Sequence, residues 1–309
     1  MRRLLEQGRE VKILDNLSTG SLENVGDLNA TKFAKGEITD RSLVGELMPN
    51  TDAVIHLAAI VDHDTCLRNP ELAHEVNVNG TLVLLEEARR RDVKRFVYAS
   101  SAAVYGHASE LPIKEDSRLA PISPYGVSKA AAEQRCLEHA QNYDTSTICL
   151  RFFNVFGPRQ TARQYSGVIT EFMKNLRQGK PPVIDGDGLQ TRDFVNIQDV
   201  VDAILLALNS ETAKGVYNVA TGVETTIESL ALKLIAIAGR TSKPVFTAPR
   251  AGDIRRSVGD IRKAKEELRY SPRTDLDEDL RGLWNWYVDA RQTVQGRRAD
   301  RMPGPGDGD

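Results

Sequence analysis

The sequence predicts an α/β protein, a doubly wound parallel sheet with a smaller α/β lobe behind it. Through the first half, short β-rich runs alternate with longer helical patterns, the order that builds a parallel sheet with helices on both faces. The strand candidates are nearly continuous apolar runs, as burial on both sheet faces requires. Beyond about residue 165 the alternation loosens into helices joined by shorter strands.

Taken in order, "MRRLLEQG" reads as the back half of a helix turning at Gly8, and "EVKILD" as a strand ending on Asp15. "KFAKG" and "DAVIHLAA" are the next two strands. A helix is expected over 70–91, a buried strand at "RFVYASS", a helix over 124–142 and a further strand at "STICLRFF". Residues 1–165 then form the first domain and 166–290 the lobe. The lobe has helices near 166–178, 197–209, 226–238 and 275–290, and strands near "PPVI", "VYNVA" and "KPVFTA". "DFVNIQDVVDAILLAL" is apolar enough to pack back on the first domain, so the division is not one clean cut. The tail 291–309 is rich in Gly, Pro and charge, and is expected to be disordered.

With 309 residues, 40% hydrophobic and 27% charged, the chain can bury a sizeable core. A net charge of −2 argues against nucleic acid or a polybasic membrane face as partner. No run approaches the ~18 apolar residues of a membrane span, and none has the form of a signal peptide. Cys66, Cys136 and Cys149 are odd in number and widely spaced, which fits free thiols in a reducing, cytoplasmic setting. The five histidines have no ligand spacing, so no metal site is expected.

The chemistry-bearing pattern is "SPYGVSKAAAE". Tyr125 and Lys129 stand four apart on the expected helix, hence on one face. An ammonium beside a phenol favours the phenolate, which lowers a pKa that starts near ~10 and makes a general base. Taken alone, such spacing is more often an accidental pair on a solvated face. The strand "RFVYASS", which empties into small hydroxyl residues, changes those odds. Ligands of open α/β sheets bind at the carboxyl ends of strands. Ser101 there could hydrogen-bond the oxygen that Tyr125 deprotonates, although it and Ser100 could equally be loop-forming serines.

These motifs, with "LDNLSTG", "NVNGT", "SSAAVYG", "RFFNVFGPRQ", "GDGLQTRDFV", "YNVATG" and "PRAGDIRRSVGD", resemble in order the extended short-chain dehydrogenase/reductases. Within them, the chain is similar to the UDP-galactose 4-epimerase branch of the NAD-dependent epimerases and dehydratases, from about residue 1 to 288. The resemblance implies a Rossmann-type sheet, NAD as cofactor, a UDP-sugar substrate and a homodimer built on the helices 70–91 and 124–142. Leu82, Leu85 and Leu137 on those helices could equally be core.

Carried over by position, the resemblance implies catalytic roles for Ser101, Tyr125 and Lys129. Asp15 falls where the family grips the adenosine ribose, and its charge would repel a 2′-phosphate; it could also only cap the following turn. Glu37 and Ile38 fall at the adenine, although an aspartate is more usual than Glu37. Leu57, Ala58 and Ala59 line the pyrophosphate and nicotinamide ribose, and Asn77 is a further cofactor contact. On the substrate side the resemblance places Asn154 at the diphosphate, with Arg192 and Arg250 as its two cations. It places Asp253 at the uridine ribose and Ser257 beside the sugar 2-substituent. A surface ion pair within "PRAGDIRR" and a solvent-facing Ser257 are the plainer alternatives.

The same fold hosts several reactions. Related 4,6-dehydratases carry an acidic pair after the serine, where this chain has Ala102 and Ala103. The expected reaction is therefore epimerisation at C4 of UDP-glucose and UDP-galactose, and of their N-acetylhexosamine counterparts because Ser257 is small. A nucleotide-sugar 4,6-dehydratase or another sugar-nucleotide-modifying member of the family is the alternative.

A strand and a glycine-rich turn precede the first helix in a dinucleotide-binding βαβ unit, and the chain starts after their place. A misplaced start is the favoured expectation, because relatives read "LVRRLLEQG" here and a GTG valine codon can be written Met. The rival is a short, catalytically inactive binding module. Either way, the chain as written is expected to bind NAD poorly and to leave a gap between "EVKILD" and "DAVIHL".

Overall fold

Arg95–Ser101 and Ser146–Phe152 are the best-covered strands, each with its five inner residues buried. Phe96, Val97, Tyr98, Thr147 and Ile148 are the β-branched and aromatic types that suit a pleated surface packed on both sides. The computed structural model describes residues 1–26, 31–160, 167–250 and 252–299.

The first part of the chain runs α1 (Arg2–Glu6), β1 (Val11–Asp15), α2 (Leu22–Val25), β2 (Thr31–Lys35), α3 (Arg41–Leu47), β3 (Ala53–His56), α4 (His63–Arg68), α5 (Pro70–His74), α6 (Gly80–Arg90), β4 (Arg95–Ser101), α7 (Pro124–Asn142) and β5 (Ser146–Phe152). A π-helical turn, Glu75–Asn79, joins α5 to α6, and a 3₁₀ turn, Ala102–Val104, follows β4. The second part runs β6 (Asn154–Phe156), α8 (Val168–Arg177), β7 (Val183–Asp185), β8 (Thr191–Arg192), β9 (Phe194–Asn196), α9 (Ile197–Asn209), β10 (Gly215–Val219), β11 (Thr225–Thr226), α10 (Ile227–Ile237), β12 (Val245–Thr247), α11 (Arg262–Leu268) and α12 (Leu276–Ala299).

The main parallel sheet has the order β10-β5-β4-β3, and β1 pairs with β2 in a separate parallel ladder. Among the described residues no ladder joins β1 to β3. Both strands are only partly buried over most of their length, short of the continuous burial expected from their apolar runs. "VYNVA", expected in the lobe, instead forms β10 and pairs with β5 from Gly215 opposite Ile148 to Val219 opposite Phe152. The reason is packing: Tyr217 and Val219 are fully buried in one cluster with Ile148 and Leu150.

The pleat sorts the core. Val97, Ile148 and Leu150 face α9 and α11, while Phe96, Tyr98 and Cys149 face α3, α6 and α7. The lobe has its own core from α8, α10 and α12 around Ile184 and Phe194. Helix α9 packs against β4 and β5, as the apolar run "DFVNIQDVVDAILLAL" led us to expect.

Helix α7 spans 124–142 as expected, with Pro124 in the first turn and the Ser123 side chain accepting from Gly126 N. The helix expected over 70–91 is instead interrupted at Glu75–Asn79. There the wider turn accompanies a buried Asn77. Helix α12 runs to Ala299, into the stretch expected as a disordered tail; residues 300–309 lie outside the described residues. So does the expected boundary at 165, within 161–166. No helix among the described residues is long and apolar enough to cross a membrane.

Candidate active site

Because the paired strands are parallel, their carboxyl ends lie together within each sheet. Asp15 ends β1, Glu37 and Ile38 follow β2, Leu57–Ala59 follow β3, and Ser101 ends β4. Helix α7 packs against β4 and the 3₁₀ turn, which brings its first two turns, with Tyr125 and Lys129, to the Ser101 end of the strand.

Lys129 is 3% exposed, so its ammonium has left water. Its Nζ donates to the Ala99 carbonyl at 2.7 Å and stands 4.9 Å from the Tyr98 ring centroid. Burial brings its pKa down to about 8. His56 lies in the same interior, its Nε2 2.9 Å from Thr81 Oγ1. Burial, and then the Lys129 charge, pull the His56 pKa to about 3, so the ring is neutral at pH 7. The Ser101 hydroxyl accepts from Ala103 N at 3.2 Å and opens the 3₁₀ turn. Ala102 and Ala103, which follow, are half-buried.

Among the residues expected at the cofactor, one Asp15 oxygen accepts from Leu17 N at 2.7 Å, so the residue does cap its turn. Both Glu37 oxygens accept from Asn16 Nδ2, at 3.2 and 3.1 Å, tying the loops after β1 and β2 together. Ile38 is buried against Gly80 of α6, where an added Cβ would stand 2.6 Å from Ile38 Cδ1. Leu57 is 56% exposed directly after the buried His56. Ala58 is also exposed and Ala59 half-buried. Asn77 is an internal brace: its Oδ1 accepts from Ile60 N at 2.7 Å, and its Nδ2 donates to Ile60 O and Ser128 Oγ, both at 2.9 Å.

The residues expected at the substrate fall in two groups. Arg192 Nη2 meets Asp253 Oδ1 at 2.5 Å, and its Nη1 donates to the carbonyls of Thr191 and Ile254. Arg250 instead pairs with Asp185 at 3.1 Å on an exposed edge. Asp185, Arg250 and Asp253 line one cleft, with Thr247 and Pro249. The ion pairs thus span different segments, and among the described residues no salt bridge forms within "PRAGDIRR", the plainer alternative expected there. Asn154 begins β6, its N–H donating to the Asp193 carbonyl. Ser257 is 7% exposed, not solvent-facing. Its segment is held on both sides by Thr191 N to Arg255 O and Ile113 N to Val258 O.

Sequence reasoning missed two buried features. The Asp193 carboxylate accepts from Thr221 N and Oγ1, Gly222 N and Gly259 N at 2.6–3.2 Å, which pins the loops beside Arg192. Burial raises its pKa against those hydrogen bonds. Glu133, paired with Arg151, was signalled only by standing a further four residues past Lys129 on the same helix face.

Residues 1–220 match the model of the NAD dependent epimerase/dehydratase family. The UDP-glucose 4-epimerase of Mycolicibacterium smegmatis is 37% identical over 283 residues, covering 90% of each chain. A crystal structure of UDP-glucose 4-epimerase with UDP-glucose from Thermotoga maritima matches with a TM-score of 0.89 and 34% identity, covering 95% of this chain and 94% of that one. The Thermus thermophilus UDP-glucose 4-epimerase in complex with NAD matches at 0.86 and 33%, covering 94% of each.

Proposed function

The chain belongs to the NAD dependent epimerase/dehydratase family, and from that premise we propose that it inverts C4 of a UDP-hexose with NAD as cofactor. The observation that carries this reading is the half-buried Ala102–Ala103 step directly after Ser101. Neither side chain transfers a proton, whereas the 4,6-dehydratases that the chain resembles have an acidic pair there.

The strand ends suit the cofactor. The exposed Leu57 and the small Ala58 and Ala59 leave open, partly apolar surface at the end of β3, and the exposed Asp15 suits a ribose diol and disfavours a 2′-phosphate. Asp15, Glu37 and Leu57–Ala59 would hold NAD, with Ile38 and Asn77 shaping the wall behind them. NAD bound there would supply the hydride acceptor and donor for the sugar carbon.

Tyr125, as phenolate, takes the proton of the 4-hydroxyl and later gives one back. Ser101 hydrogen-bonds the same oxygen, and the Lys129 ammonium, present below about pH 8, favours the phenolate. Arg192, Arg250 and Asn154 hold the diphosphate and Asp253 the uridine ribose, while the 4-keto sugar presents its other face. Ser257, buried and small, leaves room for a 2-acetamido group.

The working unit in this reading is a cytoplasmic homodimer. Leu82 and Val127 are 38% and 53% exposed on α6 and α7, which supports that face, whereas Leu85 is fully buried and Leu137 packs beside it in the core. Cys66, Cys136 and Cys149 are free and buried, in keeping with a reducing compartment.

The test is to incubate the purified protein with NAD and UDP-glucose and to separate the products by chromatography. UDP-galactose supports the epimerase. A 4-keto-6-deoxy sugar nucleotide supports the dehydratase, and no product with retained UDP-sugar binding supports an inactive binding module.

A further inference from the structure

We propose that the buried Glu133–Arg151 pair is a positioning device that holds Ser101 from both sides. The inference rests on the functional reading for what Ser101 does, though not for how it is held.

Tyr125, Lys129 and Glu133 stand at i, i+4 and i+8 on one face of α7. Two of them grip consecutive residues at the end of β4. Lys129 takes the Ala99 carbonyl, and Glu133 Oε2 accepts from the Ser100 hydroxyl at 2.5 Å. Ser100 lies directly opposite Arg151 in the β4–β5 register. Arg151 binds the same carboxylate by its fork, Nε to Oε2 at 3.0 Å and Nη2 to Oε1 at 2.5 Å.

The remaining guanidinium nitrogen reaches forward past Ser101. Arg151 Nη1 donates to the Tyr105 hydroxyl at 2.7 Å and to the Glu115 carbonyl at 2.8 Å. Tyr105 OH donates in turn to Asn218 Oδ1 at 2.7 Å. One ion pair therefore grips the residue before Ser101 and the residue that ends its turn. Ser101 Oγ itself accepts from Ala103 N, so the direction of the hydroxyl follows the backbone of that turn.

Both charged groups are almost fully buried, at 1% and 3% exposure. Desolvation makes such a pair a poor source of net stability compared with well-packed apolar residues. What a two-point fork supplies is a fixed direction. Candidate catalytic groups gain from this because small misplacements at a reacting centre slow turnover strongly.

Ser100→Ala and Tyr105→Phe each remove one tether and leave Glu133 and Arg151 paired. Amide exchange of Ala103, followed by NMR on the 309-residue chain, is expected to rise about 10-fold in each variant, with the β5 amides unchanged. With NAD and UDP-glucose, kcat is expected to fall about 10-fold and KM to stay within about 2-fold. Unchanged exchange at Ala103, a uniform rise across β5, or faster exchange with full kcat overturns the inference. If the unmodified chain turns nothing over, the functional reading fails, while the exchange result still decides whether the pair holds the turn.

Discussion

Arg192 and Asp253, 61 residues apart in sequence, meet at 2.5 Å, and Arg192 also grips the Ile254 carbonyl. Arg250, the other cation of the proposed diphosphate clamp, is matched by Asp185 at 3.1 Å. In the proposed reading, a nucleoside diphosphate entering here would compete with carboxylates already in place. The two contests are unequal, since Arg192 is 16% exposed and Arg250 is 69% exposed.

Arg192→Ala should therefore raise the KM for UDP-glucose by 10-fold or more, at about 1.5–3 kcal/mol for a lost charge-assisted bond. Asp185→Asn should free Arg250 and tighten binding by no more than about 5-fold, because exposed pairs are worth ~0–1 kcal/mol. Steady-state kinetics on both variants checks the order.

Tyr125→Phe removes the proposed base while keeping the ring. Turnover should fall about 10²- to 10⁴-fold, with NAD affinity nearly unchanged by calorimetry. Lys129→Ala should weaken both. A Phe variant with near wild-type epimerisation would refute the assignment.

Lys129 titrates near 8 when folded, against 10.5 in its ordinary state. The folded chain thus disfavours the ammonium. That penalty is complete below about pH 8 and is relieved as pH rises toward 10.5, where the unfolded chain binds more protons. Stability from this group should rise, on the order of 1–2 kcal/mol, between about pH 8 and about pH 9.5. Urea unfolding at the two values should show that gain in the native chain and a smaller one in Lys129→Met.

Ser257→Tyr places a ring on a segment held by backbone bonds on both sides. An acetamido group forced against it should meet overpacking of ~1–3 kcal/mol. In kcat/KM, UDP-N-acetylglucosamine should lose about 10-fold or more relative to UDP-glucose. A ratio unmoved by the substitution removes Ser257 as the gate.

Local pattern made much of this legible. "RFVYASS" became β4 at Arg95–Ser101, and the Ser123–Pro124 start with its i, i+4 pair became α7. Apolar continuity, capping and helical spacing are properties of neighbouring residues, so a single chain displays them. The helix Arg41–Leu47 escaped because it is short and buries only Val44. Asn77 is braced on Ile60 and Ser128 at the π-helical turn, a pairing that no local spacing displays.

By itself the sequence determined the α/β class, the five strands of the first half, the helix over 124–142, and the shared face of Tyr125 and Lys129. The tertiary structure alone decided that β10 joins the main sheet, that Arg192 meets Asp253, and that Glu133 binds Ser100 and Arg151 together. The physical reason is range. Hydrophobic periodicity and capping act within a few residues, whereas the partner of a buried charge depends on which distant strand ends the packed core brings side by side, and no local spacing encodes that.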